Sequence, residues 1–217
     1  MTAGRLEPKR SQLAQERSRD TRRAIVKAAL ELWTQRGFDH GVEQTTAEEI
    51  ATRAGVSKAT FYLHFGRKED ILRHAGWIAP EAMYEDALAE VAAGHGLDEA
   101  VDRMLLRLGR RVQKVPRAAL RRVLHAQRRV PREHVYEDGS FGLEKAFLVV
   151  LKPAQDTGEL PAGIGVPMLA SMLKAVTMDA LWNWAIYGAD RLPDVLRQRA
   201  AVVLAGARHL PADQAEP

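Results

Sequence analysis

Residues 45–68, TTAEEIATRAGVSKATFYLHFGRK, decide the fold. Thr45 and Thr46 each have a glutamate three residues on, Glu48 and Glu49, the capping-box spacing that starts a helix. Ile50, Ala51 and Ala54 fall on one face behind it. Gly55 then supplies the left-handed conformation that stops a helix and turns the chain. Ser57 is placed to cap a second helix, whose buried face is Phe61 and Phe65, four residues apart. Lys58, Ala59, Thr60, Tyr62 and His64 are left pointing elsewhere. A short second helix that carries lysine, small hydroxyls, tyrosine and histidine outward suits the major groove of DNA.

Working outward, residues 19–36 read as the preceding helix. Ile25, Ala28, Ala29, Leu32 and Trp33 recur at i, i+3, i+4, i+7 and i+8, a stripe that packs under the helix-turn-helix. Asp20 near its start and Arg36 at its end suit the helix dipole, and Gly37 ends it. Residues 1–18, with Arg5, Lys9, Arg10 and Arg17, read as a basic arm without regular structure, or as one that follows the DNA backbone or enters the minor groove. On the other side Lys68 opens a helix that runs towards Trp77, with Glu69 and Asp70 in its first turn. Pro80 is expected to kink or end it, because proline removes a backbone donor and crowds the preceding turn.

The run Ala54-Gly55-Val56-Ser57, then Thr60, Tyr62, His64-Phe65 and Lys68-Glu69-Asp70-Ile71-Leu72, resembles the DNA-binding signature of TetR-family transcriptional regulators. The resemblance implies an all-α protein in which a three-helix helix-turn-helix DNA-binding domain (19–66) is joined to a larger helical ligand-binding and dimerisation domain (67–210), with a loose tail at 211–217. It implies DNA contact by Ser57, Lys58, Ala59, Thr60, Tyr62 and His64, with Thr46 and Lys68 on phosphates. The implied partners are double-stranded operator DNA, a second copy of the chain through the last two long helices, and a small-molecule effector. Residues 39–44 make a longer link than is usual in the family, and read as a loop.

Beyond Pro80 the pattern is helical, with segments at 81–93, 97–115, 117–129, 139–156, 166–187 and 192–210, and a loop at 157–163. The most apolar, 166–187, is apolar nearly all round and so must be covered on several sides, by core or pocket and by a partner. Met104, Leu108, Phe147, Met172 and Trp182 are the candidate effector-lining residues. Residues 103–134 hold eleven Lys or Arg and one acid, Glu133. They read either as solvated helix faces or as a basic mouth for an anionic effector.

The chain has 217 residues, formal net charge +4 and no cysteine, which excludes disulfides, thiol catalysis and cysteine-ligated zinc. No phosphate-binding glycine loop or metalloprotease motif occurs, and the seven histidines lack metal-ligand spacing. No enzyme activity, metal or cofactor is therefore expected. No signal-type or membrane-spanning stretch is evident, so a cytoplasmic protein is expected. The function expected is a dimeric sequence-specific DNA-binding regulator, a repressor released by its effector. The alternatives are an activator or ligand-independent regulator, or an adaptor dimer without DNA binding.

Overall fold

The computed structural model describes residues 10–38, 40–128, 142–188 and 191–209. These residues form ten α-helices and, among themselves, no strand. The chain divides into two compact units, residues 1–74 and 75–217, and the division falls within the fifth helix.

In the first unit α1 spans Arg10–Gln35. It begins well before residue 19, so residues 10–18 are helical and not an arm without structure. Residues 1–9 lie outside the described residues. The expected stripe is buried: Ile25, Ala28, Ala29, Leu32 and Trp33 face inward, joined by Val26. They meet Phe38, Val42, Ile50, Ala51, Phe61, Phe65, Ile71 and Leu72 in one core. Each large side chain fully buried there contributes roughly 1.5–3 kcal/mol. Trp33 packs edge-on against Phe38, ring centroids 6.0 Å apart.

Residues 40–44 are not a loop. Gly41–Gln44 form a one-turn helix, α2, with Gly41 and Val42 buried. Gly41 lies so close to α1 that an added Cβ would stand 2.7 Å from the Trp33 carbonyl oxygen and 2.9 Å from Trp33 Cα. The extra length in the link is thus folded under, and only glycine allows that approach. Ala47–Ala54 (α3) and Lys58–His64 (α4) follow, and the turn between them is the one expected. Gly55 takes φ 70°. Its N–H reaches Thr52 O at 3.1 Å, and that of Val56 reaches Ala51 O at 3.0 Å, which satisfies two carbonyls that the helix end leaves over.

The second unit holds most of α5 (Asp70–Ala92), then α6 (Leu97–Val112), α7 (Arg117–Arg128), α8 (Leu143–Asp156), α9 (Val166–Tyr187) and α10 (Leu192–Arg208). Lys68 and Glu69 sit in the turn before α5, not in its first turn. Pro80 neither ends nor splits α5, which carries it within a continuous run. The residue four before it is Gly76. Its α-carbon faces Gln127 of α7 closely enough that a Cβ would lie 2.1 Å from Nε2. Residues 129–141, and with them Pro131 and the start expected for α8 at 139, are outside the described residues, as is the 211–217 tail.

One apolar core joins all six helices, with Met83, Met104, Leu105, Leu108, Phe147, Leu151, Leu173 and Leu196 among its members. Gly109 lets α6 press on α10, since a Cβ there would be 2.7 Å from Pro193 Cα. The amino end of α6 has no side-chain cap of its own. The Glu159 carboxylate accepts from Leu97 N at 2.8 Å instead, a negative charge placed at a positive helix end. No helix is long and apolar enough to cross a membrane among the described residues.

Candidate nucleic-acid interface

The helix-turn-helix is fastened by its own polar side chains. Of the two threonine–glutamate pairs the structure uses one. Thr46 caps α3: its Oγ1 accepts from Glu49 N at 3.2 Å, and Thr46 N donates to Glu49 Oε2 at 2.7 Å. Thr45 is buried, donating to Gly41 O at 2.6 Å. Glu49 is also gripped by Arg36, with Nη2 to Oε1 at 2.5 Å, while Arg36 Nη1 donates to Gln44 O at 2.9 Å and Thr45 Oγ1 at 3.0 Å. The Arg36 hydrogen bond, then those from Thr46, hold the Glu49 carboxyl down to about 2. Arg36 is therefore a clamp across α1, α2 and α3, beyond the dipole role read from its position.

On α4, Ser57 caps as expected. Its Oγ accepts from Thr60 N at 3.0 Å and shares a hydrogen bond with Thr60 Oγ1 at 2.8 Å. Lys58 pairs with Glu48 at 3.2 Å, a contact between two well-exposed groups that a phosphate can displace at little cost. Phe61 and Phe65 are buried, their ring centroids 6.0 Å apart. His64 is half-buried. Burial first, and the charge of Arg22 on α1 second, push its pKa down, which keeps the ring neutral at pH 7. Ala59 and Tyr62 are exposed. Lys68 does not project freely: its Nζ donates to Thr45 O at 2.7 Å and Glu43 O at 3.0 Å, tying the turn before α5 to the α2–α3 junction. An ammonium has three N–H donors, so one is left over for a phosphate.

Thr46, Ser57, Lys58, Ala59, Thr60, Tyr62, His64 and Lys68 thus all lie on α3, α4 and the turn that follows. One neighbour was passed over in the sequence. Leu63 is 82% exposed, the most open large apolar side chain among the described residues. Its signal was available: it stands two residues from both Phe61 and Phe65, so at about 100° per residue it must point away from the core they enter.

The candidate effector residues do not gather in one place. Met104, Leu108 and Phe147 are wholly buried in the core of the second unit. Trp182 lines an open groove of about 330 Å³ with Leu124, Gln127, Met178 and Asp179, and His125 meets its ring edge-on at 4.9 Å. Met172 is 48% exposed on α9. The basic stretch is largely spoken for within the described residues. Arg103, Arg107 and Arg111 of α6 interleave with Asp86 and Glu90 of α5, and Arg117 and Arg121 of α7 donate to Ile186 O and Ala185 O at the end of α9. Glu90 is only 3% exposed. Burial pushes its carboxyl up, but hydrogen bonds from Arg107 and His95 and the charges of Arg107 and Arg103 outweigh that and hold it below the usual range.

The family model described as bacterial regulatory proteins, tetR family, matches residues 25–75. The HTH-type regulator YerO of Bacillus subtilis is 43% identical over 51 residues, which is 24% of this chain and 16% of that protein. The regulator TcmR of Streptomyces glaucescens is 39% identical over 59 residues, 27% of this chain and 24% of that one. Both matches span well under half of the relatives' length. Among solved structures, Thermus thermophilus FadR, a TetR-family repressor in complex with lauroyl-CoA, aligns with a TM-score of 0.68 at 23% identity, over 90% of this chain and 98% of that one. SmeT, the repressor of a Stenotrophomonas maltophilia efflux pump, aligns at 0.62 and 19%, over 91% and 98%. These last two establish a shared fold across both units. Residues 25–75, in which the fastened α3–turn–α4 lies, are a domain of the tetR family of bacterial regulatory proteins.

Proposed function

We propose that the protein is a homodimeric repressor that binds its operator through α4 and is released by a small-molecule effector bound in the second unit. The observation that carries the dimer is an uncovered apolar face on α9 and α10. Met168, Met172 and Val202 are 52%, 48% and 69% exposed, and the small residues Ala201, Ala205 and Gly206 are exposed beside Val202. Small residues let a partner helix approach closely, and exposed apolar side chains on two neighbouring helices call for cover. A seven-residue α4 reaches only a few base pairs. Two of them, about 34 Å apart on successive major grooves, give the length of site a specific regulator needs.

The effector reading is supported by likeness of fold: FadR was solved with lauroyl-CoA and SmeT with triclosan. Triclosan is largely apolar and lauroyl-CoA carries a long apolar acyl chain on a polyanionic carrier, and the groove beside Trp182 or an opening of the core behind it is where an apolar group of that kind enters here. Taking the DNA-competent form from mostly populated to mostly empty requires the effector to favour the released form by about 5.5 kcal/mol.

Fluorescence anisotropy of the full chain on DNA flanking its own gene, with sedimentation of the same samples, tests the proposal. Met172→Glu combined with Val202→Glu is expected to give a folded monomer with at least tenfold weaker operator binding. A monomer that binds as tightly as the parent protein refutes the dimeric mode. A thermal-shift panel of acyl-CoA thioesters and apolar drugs, followed by anisotropy with each hit, tests release; hits that leave DNA affinity unchanged refute it.

A further inference from the structure

The outward face of α4 differs from a typical hydrogen-bonding reader. Several of its polar groups already have partners within the protein. The Ser57 and Thr60 hydroxyls bond each other and the helix end, Lys58 is paired with Glu48, and His64 is half-buried beside Arg22 with its ring kept neutral. The most open side chain is apolar: Leu63, at 82% exposure, stands four residues on from the exposed Ala59 along the same face, with the half-exposed Tyr62 beside them. Leaving a leucine in water on a binding helix wastes its apolar surface unless the ligand offers apolar surface in return. In the DNA major groove one group does so, the C5 methyl of thymine; the other base-pair edges present hydrogen-bond donors and acceptors.

We infer that Leu63, backed by Ala59, is a specificity-determining residue that packs on a thymine methyl in each half of the operator. The inference rests on the proposal that α4 enters the major groove. It adds what is read there: a methyl group, by apolar contact. A cytosine at that position has no methyl, and an adenine or guanine presents only polar edge atoms to the side chain.

The test begins by selecting operators from a random DNA library with the full 217-residue chain. Each thymine of the enriched half-site is then replaced singly by deoxyuridine, which removes the methyl and leaves base pairing and every hydrogen-bonding atom in place. At one thymine per half-site the replacement is expected to weaken binding about fourfold, the value of one buried methyl, and about 15-fold when made in both halves. In Leu63→Ala the uracil penalty at that position is expected to vanish. The melting temperature should be nearly unchanged, because the side chain is 82% exposed and buries little in the fold. Failure to enrich any sequence overturns the DNA-binding reading itself. Enrichment with no uracil penalty at any position overturns the methyl contact alone. A penalty that persists undiminished in Leu63→Ala assigns the methyl to another residue and overturns the role of Leu63.

Discussion

Replacing Lys68 by methionine separates two roles that one ammonium can fill. The substitution keeps the length of the side chain and removes its charge and its donors. In the free protein Nζ bonds two main-chain carbonyls, Thr45 O at 2.7 Å and Glu43 O at 3.0 Å. A hydrogen bond from a charged group contributes about 1.5–3 kcal/mol when buried. Lys68 is half-exposed and one of its acceptors borders solvent, so water replaces part of what is lost, and the net cost is roughly 1–2 kcal/mol. Because the lost bonds hold the α2–α3 junction, the loss should be local. Amide hydrogen exchange over residues 41–54 is expected to speed up by roughly 5- to 30-fold, with exchange in α8 to α10 unchanged. A phosphate contact adds a separate signature, a fall of about one in the slope of log affinity against log salt. Unaltered exchange over 41–54 would refute the clamp. Altered exchange with an unaltered slope would leave Lys68 as a clamp only.

Gly41→Ala should destabilise the first unit by about 1–3 kcal/mol, since its Cβ would lie 2.7 Å from the Trp33 carbonyl oxygen and main chain must move; thermal melting checks it. Glu49→Gln should lower the melting temperature at pH 7. The Glu49 carboxyl is depressed from 4.5 to about 2, so its contribution is full above about pH 4.5 and lost as the pH falls to 2. The difference between parent and variant should therefore close over that window, and a difference constant with pH would contradict the Arg36 clamp. Glu90→Gln leaves Arg107 and Arg103 facing a buried site without its charge. Both guanidiniums are partly exposed and can rehydrate, so the cost is nearer 2 than 5 kcal/mol, read as a melting temperature lower by about 4–8 °C.

The helix-turn-helix was legible because its signals are local: caps, a left-handed glycine, and two phenylalanines at helical spacing act within a few residues. Ser57, Gly55 and the Ile25–Trp33 stripe do in the structure what their positions require. The misreadings have non-local causes. Residues 41–44 lack a helical pattern because four residues cannot show one; α2 exists through the approach of Gly41 to Trp33 and the grip of Arg36. Residues 10–18 carry no apolar stripe of their own, and α1 extends through them by continuing a helix already nucleated. Pro80 was given its usual penalty, whereas α5 accommodates it. For the basic stretch, composition could not show that Asp86 and Glu90, more than a helix away in sequence, lie between the α6 arginines. Effector residues are the hardest to read, since a buried methionine or phenylalanine looks alike whether it fills a core or borders a cavity.

The division of labour along α4 has an evolutionary consequence. The positions that hold the helix in place (Ser57, Thr60, Phe61 and Phe65) are distinct from the exposed Ala59 and Leu63. Exposed positions of that kind tolerate replacement within about 0.5 kcal/mol of stability. With α4 as the proposed reader, single substitutions at 59 and 63 after a gene duplication would change the DNA sequence a daughter protein binds while its fold stayed as inherited.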